Sequence, residues 1–282
     1  MRWLAAAALS CAGCDQLFGF DHVPAQTDAT DCAAIGPDED GDCVPDKQDN
    51  CPATPNADQA DVRETVPDGV GDACDPHLTQ EGDTILAFYS FLGDPATIAA
   101  NWPNEDPSST TWSYPGDGTV VHTSLTDTIG ELQSSNSFAG VDTTIEVGFI
   151  FHTFADQTTG PRLTAWLDSP LLNVGGHECW VQPFHNANPA ADLAYVEDVA
   201  GNTHSAEVPE LHDGDHVKIR LERVFGATDT LVCHVQVGDR GVDLPTVSAT
   251  AWPMNSTDNH AAFSAIRSAA DATYVIVYGP SL

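Results

Sequence analysis

Residues 38–75 read DEDGDCVPDKQDNCPATPNADQADVRETVPDGVGDACD, and the rest of the chain is arranged on either side of this stretch. With Asp38 as the first position of a twelve-residue loop, Asp40 falls at position 3, Asp42 at 5, Asp46 at 9 and Asp49 at 12. That is the spacing of a calcium loop, in which alternate side chains turn oxygens toward one centre and position 7, here Val44, offers its backbone carbonyl. Calcium is a hard cation that takes roughly six to eight oxygens at flexible distances. Carboxylates crowded this way repel by about 1 kcal/mol per close pair even in water. Their strict periodicity therefore implies a cation among them, whereas an aperiodic run of like charge reads as a solvated linker.

A second set of carboxylates follows. Counting back from Asp75 gives Asp72 at position 9, Val70 at 7 and Asp68 at 5, but positions 3 and 1 fall on Val66 and Glu64. The expected calcium ligands are Asp38, Asp40, Asp42, Val44, Asp46 and Asp49 in one loop. Asp68, Val70, Asp72 and Asp75 form a second, weaker or remodelled one. Pro37 precedes the first loop and Asn50-Cys51-Pro52 follows it. Proline is poorly tolerated in a helix interior, so neither flank continues as a helix and the loop is not an EF-hand.

The stretch resembles a thrombospondin type 3 repeat, whose pattern is D-x-D-x-D-G-x-x-D-x-x-D-N-C-P, then N-x-D-Q-x-D, then D-G-x-G-D-x-C-D. The residues that carry the resemblance are Asp38, Asp40, Asp42, Asp46, Asp49, Asn50, Cys51 and Pro52, then Asn56, Asp58, Gln59 and Asp61, then Asp68, Gly69, Gly71, Asp72, Cys74 and Asp75. The resemblance implies a chain wrapped around calcium ions with little regular secondary structure and tied by disulfides. It also implies Asp61 as the first ligand of the second loop, pushed away by about three inserted residues. Two departures matter. Cys43 occupies position 6, where the family has glycine; glycine accepts positive φ, so strain or a shifted turn is expected. Asp49 at position 12 is shorter than the glutamate of an EF-hand, which makes two-oxygen binding less secure.

On the N-terminal side the chain begins MRWLAAAALSCAGC, one arginine followed by a short apolar run and small residues. This has the architecture of a secretory signal and is far too short to span a bilayer. Ala12-Gly13-Cys14 resembles the lipobox of bacterial lipoproteins, which implies cleavage after residue 13 and a lipid on Cys14. Cys11 is a competing site, and an ordinary signal peptide or a soluble protein with an unusual N-terminus is the plainer alternative. A lipid would attach the chain to a membrane without a spanning helix. The expected location is the cell envelope, at the outer membrane or cell surface. Residues 14–31 then read as a lipidated tether, 32–77 as the calcium segment and 82–282 as a separate folded domain.

Eight cysteines are present. Removing Cys11 with the signal and Cys14 to lipid leaves an even set, as an exported chain requires. The expected pairs are Cys32–Cys43, Cys51–Cys74 and Cys179–Cys233. For the last pair, buried thiols packed side by side are the alternative. A segment with almost no apolar residues cannot bury a core, so metal and disulfides must order it. Such a stiffened segment is expected to hold the following domain away from the membrane.

On the C-terminal side the composition shifts near Thr84 to Val, Thr, Phe, Trp and Tyr with frequent turn residues, the signature of many short strands. Strands are expected at Thr84–Phe91, Thr143–Phe151, Pro161–Leu167, His216–Val224, Leu231–Val237 and Thr273–Tyr278. Val217, Ile219 and Leu221 should share one face, opposite Lys218, Arg220 and Glu222. Pro95–Asn101 reads as a turn or two of helix. The fold class is all-β, an antiparallel jelly-roll β-sandwich preceded by the irregular calcium- and disulfide-stabilised segment. The order of Leu211–Leu221, Leu231–Gly238 and the final YVIVY resembles concanavalin A-like, laminin-G-type domains.

That resemblance implies binding of glycan or of an extracellular protein, as in adhesion. A structural envelope protein without a ligand and a divergent carbohydrate-active enzyme are the alternatives. Glycosidases on this fold carry paired carboxylates on one strand, as E-x-D-x-x-E. No such triplet occurs, and the adjacent Glu197 and Asp198 would face opposite ways on a strand, so no enzyme activity and no catalytic residue is expected. His177, Glu178 and Cys179 suggest zinc only until Cys179 is paired with Cys233. Trp102, Trp112, Trp166, Trp180 and Trp252 read more readily as packing than as sugar-stacking rings. With 42 Asp and Glu against 9 Lys and Arg, for a net charge of −33, the chain repels nucleic acid and anionic lipid. Calcium is the one cofactor expected.

Overall fold

Branched and aromatic side chains pack well on a pleated surface, and the runs rich in them form the strands. The computed structural model describes residues 36–103, 111–126, 130–138, 142–155, 160–168, 177–183, 191–198, 200–224, 228–250 and 259–280. In order the elements are β1 (Asp83–Tyr89), helix α1 (Pro95–Asn101), β2 (Trp112–Ser113), β3 (Val120–His122), β4 (Glu131–Phe138), β5 (Thr143–Phe154), β6 (Arg162–Asp168) and β7 (His177–Gln182). Then come β8 (Ala191–Glu197), β9 (Thr203–Pro209), β10 (His216–Val224), β11 (Thr228–Val237), β12 (Arg240–Asp243), β13 (Val247–Thr250), β14 (Asn259–Ile266) and β15 (Ser268–Pro280).

They build an antiparallel jelly-roll sandwich of two sheets. The nine-stranded sheet runs β12-β11-β10-β5-β15-β3-β2, with β1 also on β15 and β13 also on β11. The six-stranded sheet runs β4-β14-β6-β7-β8-β9. The first and last strands are neighbours, Ile85 opposite Tyr278, so the chain enters and leaves the sandwich at one place. Between the sheets lies one apolar core. Val217, Ile219 and Leu221 of β10 join Leu231, Cys233, Val235 and Val237 of β11 there, as period-two alternation dictates. From the other sheet come Leu163, Ala165, Val181, Val196 and Phe263. Trp102 is fully buried, its ring 5.1 Å from that of Phe263. It is delivered there by α1, which starts at Pro95 with the Asp94 side chain accepting from the Thr97 amide. Cys179 of β7 and Cys233 of β11 form a disulfide across the core.

Residues 36–82 contain no strand or helix. They are held by Asx turns, by a disulfide between Cys51 and Cys74, and by a clasp in which Gln59 bonds Asn50, Asp49 and Asn56. Cys43 is also disulfide-bonded, and it carries a positive φ of 75°. The loop keeps the conformation that glycine provides elsewhere and bears the strain at a non-glycine residue. The expected partner Cys32, the signal and tether over 1–31 with Cys14, and Trp252 lie outside the described residues.

The segment does not stand off from the sandwich, as a stiff spacer would. It lies on the outer face of the nine-stranded sheet as a third layer. Cys51, Val70 and Cys74 pack with Tyr274, Ile276 and Tyr278 of β15 and against Ile85 and Phe88 of β1. The reason is in β15: Val275 and Val277 point into the core while Tyr274, Ile276 and Tyr278 make the opposite face equally apolar. A strand apolar on both faces needs cover on both. Among the described residues no helix is long and apolar enough to cross a membrane.

Candidate functional site

Within the segment the first loop draws one oxygen each from Asp38, Asp40 and Asp42 to within 4.8 Å of one another. Backbone amides fix their orientation. Asp38 accepts from Gly41 and Cys43, Asp40 from Asp42, and Asp42 from Val44 and Asn56. Asp46 and Asp49 stay outside this trio: Asp46 accepts from the Glu39 amide at 2.9 Å, and Asp49 from the Cys51 amide and Gln59.

The second loop repeats several of these bonds and changes one member of the trio. Val70 donates to Asp68 at 3.0 Å as Val44 donates to Asp42 at 2.8 Å. His77 donates to Asp75 as Cys51 donates to Asp49. Asp72 clamps the start of its loop by accepting from Val62 and Arg63, as Asp46 does from Glu39. The change is at the third position. Asp61 and Asp68 are joined by Glu64, and one oxygen of each lies within 4.8 Å of the others. Glu64 is absent from the ligand set expected from spacing, which assigned its position to a displaced first ligand. The insertion hides it, and only its longer side chain, which can reach back over the added residues, could have signalled it.

The donor set fits a hard divalent cation, being all oxygen, with several oxygens lacking a partner. Asp40 Oδ2, Asp61 Oδ1, both carboxylate oxygens of Glu64, and Asp75 Oδ2 are buried without a hydrogen-bond partner. Burying a carboxylate without compensation is costly. Burial, with the charges of Asp42, Asp49 and Asp38 close by, pushes the Asp40 carboxyl up to about 7. The facing Asp75 carboxylate, burial and the Asp61 carboxylate push Glu64 up to about 8. Burial followed by Asp46 and Asp40 does the same to Glu39, to about 8. Such groups need a proton or a cation at neutral pH.

Under the segment the sheet carries its own charges. Glu146 is fully buried, with Arg220 at 2.6 Å, Lys218 at 3.3 Å and the Tyr274 hydroxyl donating at 2.9 Å. Lys218 also reaches Thr54, and Arg220 reaches the Cys74 carbonyl.

The outer face of the six-stranded sheet is different. Trp180 stacks on Tyr195 with ring centroids 5.1 Å apart and planes at 10°, and Arg162 lies 5.2 Å over the Trp180 ring. Arg162 pairs with Glu178 at 3.2 Å, and Trp180 donates to Gln182 at 3.4 Å. Trp180 is only 6% exposed, while Trp166 and Tyr195 are half-buried. Glu178 sits directly opposite both Trp166 and Glu197. The tryptophans thus divide: Trp102 and Trp112 belong to the core, Trp166 and Trp180 to this outer face. Asp198 turns inward as alternation predicts and caps the following turn, accepting from Ala200 and Asn202.

Residues 32–59 are similar to the thrombospondin type 3 repeat. No curated protein matches the chain. Among solved structures, the endo-1,3-β-glucanase from Streptomyces sioyaensis aligns over 72% of this chain and 98% of its own, with 13% identity and a TM-score of 0.47. The VIP36 exoplasmic/lumenal domain in its Ca2+/Man2-bound form aligns over 71% and 88%, with 9% identity and a TM-score of 0.49. Peanut lectin aligns over 70% and 97%, with 12% identity and a TM-score of 0.45.

Proposed function

We propose that this is an exported surface protein, held at a membrane by a lipid on Cys14, that binds calcium through residues 38–75 and a glycan through its sandwich. The observation that carries the reading is the set of buried carboxylate oxygens without partners in both loops, the first of which lies in residues similar to the thrombospondin type 3 repeat. Calcium there would neutralise carboxylates that otherwise repel, and so order a segment too polar to hold itself together. Calorimetric titration of the folded chain tests this. The wild type should bind calcium, and Asp40→Asn should lose an ion. No binding at millimolar calcium would overturn the reading.

The glycan belongs on the outer face of the six-stranded sheet. Half-buried rings of Trp166 and Tyr195 beside Arg162, Gln182 and the paired glutamates combine an apolar surface with convergent polar groups, as sugar rings require. Glycan-array binding that Tyr195→Ala abolishes without lowering Tm would support it, and unchanged binding would move the site elsewhere. One observation favours hydrolysis as a second reading: Glu178 and Glu197 are direct cross-strand partners on this face, and two carboxylates on one surface can serve as acid and nucleophile. Sugar release abolished by Glu178→Gln or Glu197→Gln would establish it.

A further inference from the structure

We infer that the second carboxylate loop is a calcium site shared between the segment and the sandwich, completed by Glu64 and reaching Asp83 of β1 through Asp75. This rests on the calcium reading above and says what one of the two ions does.

Besides Glu64 at the third position, the two loops differ in what their fifth-position aspartates hold. In the first loop Asp42 Oδ2 accepts from the Asn56 amide at 2.7 Å, a residue of the same segment. In the second, Asp68 Oδ2 accepts from the amides of Gly82 at 2.9 Å and Asp83 at 2.7 Å, where the sandwich begins. The first loop is thus closed on the segment, and the second opens onto the sheet. The twelfth-position residues differ in the same way. Asp49 is occupied by Gln59, whereas Asp75 faces the carboxylates of Glu64 and Asp83.

Glu64 marks this as a built site. It is 7% exposed and Asp75 is 9% exposed. Both oxygens of Glu64 and Oδ2 of Asp75 lack a partner, and the Glu64 carboxylate lies against those of Asp61 and Asp75. Asp61, Glu64, Asp68, Asp75 and Asp83 form a continuous acidic cluster. Among the described residues the basic side chain bonded to it is His77, which holds Asp83 at 2.8 Å and Glu222 of β10 at 2.9 Å. Like charges in contact drive the two layers apart unless a cation lies between them. A divalent ion held by Asp61, Glu64, Asp68 and Asp75 supplies that charge. It lets Asp75 stay against Asp83 and fixes the Asp68 carboxylate that caps the entry to β1. The inserted residues are then the means by which the ligand set is turned toward the sandwich.

The test uses the full chain, calcium alone as the probe, and two variants. Calorimetry counts the ions, and hydrogen exchange follows the amides of Gly82 and Asp83, which bond to Asp68. Glu64→Gln should lose one ion, or bind it at least tenfold more weakly, and should lose the calcium-dependent protection of these two amides. Asp40→Asn should lose the other ion and keep that protection. Glu64→Asp keeps the charge with a shorter reach and should bind the ion at least tenfold more weakly; it provides the same readout if the glutamine variant does not fold. Glu64→Gln with unchanged ion number and affinity would overturn the inference while leaving the calcium reading intact. So would protection lost equally in Asp40→Asn. A wild type that binds no calcium would remove both.

Discussion

The guanidinium of Arg220 lies 2.6 Å from the carboxylate of Glu146, and the same guanidinium donates to the carbonyl oxygen of Cys74 at 3.0 Å. Sheet and segment are thus tied through one side chain over a carboxylate that is entirely out of water. Replacing Arg220 with Met leaves Glu146 with Lys218 as its one cation beside the Tyr274 hydroxyl, and removes the bond to Cys74. Loss of one partner of a buried ion pair costs about 3–5 kcal/mol. Chemical denaturation of Arg220→Met should show a fall in midpoint of that size with an unchanged slope. A fall below about 1 kcal/mol would mean that the pair is solvated.

The same carboxylate sets an acid limit. Burial alone would raise the Glu146 carboxyl, but the charges of Arg220 and then Lys218 outweigh it and hold it at about 2, against an ordinary 4.5. A group whose folded-state value is depressed binds fewer protons folded than unfolded, so stability falls as pH falls. Its contribution is complete above about pH 4.5 and is lost on acidification toward pH 2. Glu146→Gln should flatten the stability profile across that window, measured by denaturation midpoints from pH 6 to 2. A wild-type profile with the same slope as the variant's would contradict the assignment.

The Cys51–Cys74 disulfide closes a loop with a sequence separation of 23. Loop-closure entropy for a ring of this size corresponds to about 3 kcal/mol. In a segment without a core of its own, that loss should appear locally. The double variant Cys51→Ala/Cys74→Ala should become sensitive to proteolysis between residues 52 and 73 before the sandwich unfolds, and mass spectrometry of the fragments would show it. Cleavage in the sandwich first would contradict the layered description.

Gly71 sits where the two loops meet. A Cβ there would come within 2.4 Å of Asn50 Oδ1, 2.7 Å of Asn56 Nδ2 and 2.8 Å of Cys51 Sγ. Gly71→Ala should therefore displace the Asn50–Asn56–Gln59 clasp at a cost of about 1–3 kcal/mol. Both calcium affinities should weaken together, in contrast to the single-loop variants. Calorimetry with unchanged affinities would show that the clasp does not position the loops.

Much of the sandwich was legible because strands announce themselves locally. The alternation in His216–Val224 and Leu231–Val237 placed the inward faces of β10 and β11 as they stand in the core. The run Pro95–Asn101 became α1. The aromatic surface was not legible. The positions of Trp166, Trp180, Glu178 and Glu197 outside the core follow from strand parity, but their meeting depends on β6, β7 and β8 being neighbours in that register. No local pattern specifies which strands pair.

The carboxylate segment divides in the same way. Spacing predicted five aspartates for the first loop, because a loop that turns oxygens toward one centre must repeat its donors at fixed offsets; Asp38, Asp40 and Asp42 gather as it predicts, while Asp46 and Asp49 bond elsewhere in the segment. Spacing also marked the second loop as remodelled. Only the tertiary structure decided that Glu64 joins Asp61 and Asp68, and that the segment lies on the outer face of the sheet. Both depend on contacts between residues far apart in the chain: Asp68 with Gly82 and Asp83, Cys74 with Arg220, and Val70 with the outward tyrosines of β15. A periodic motif encodes its own turn, whereas the surface it covers is created only when the first and last strands of the sandwich come together.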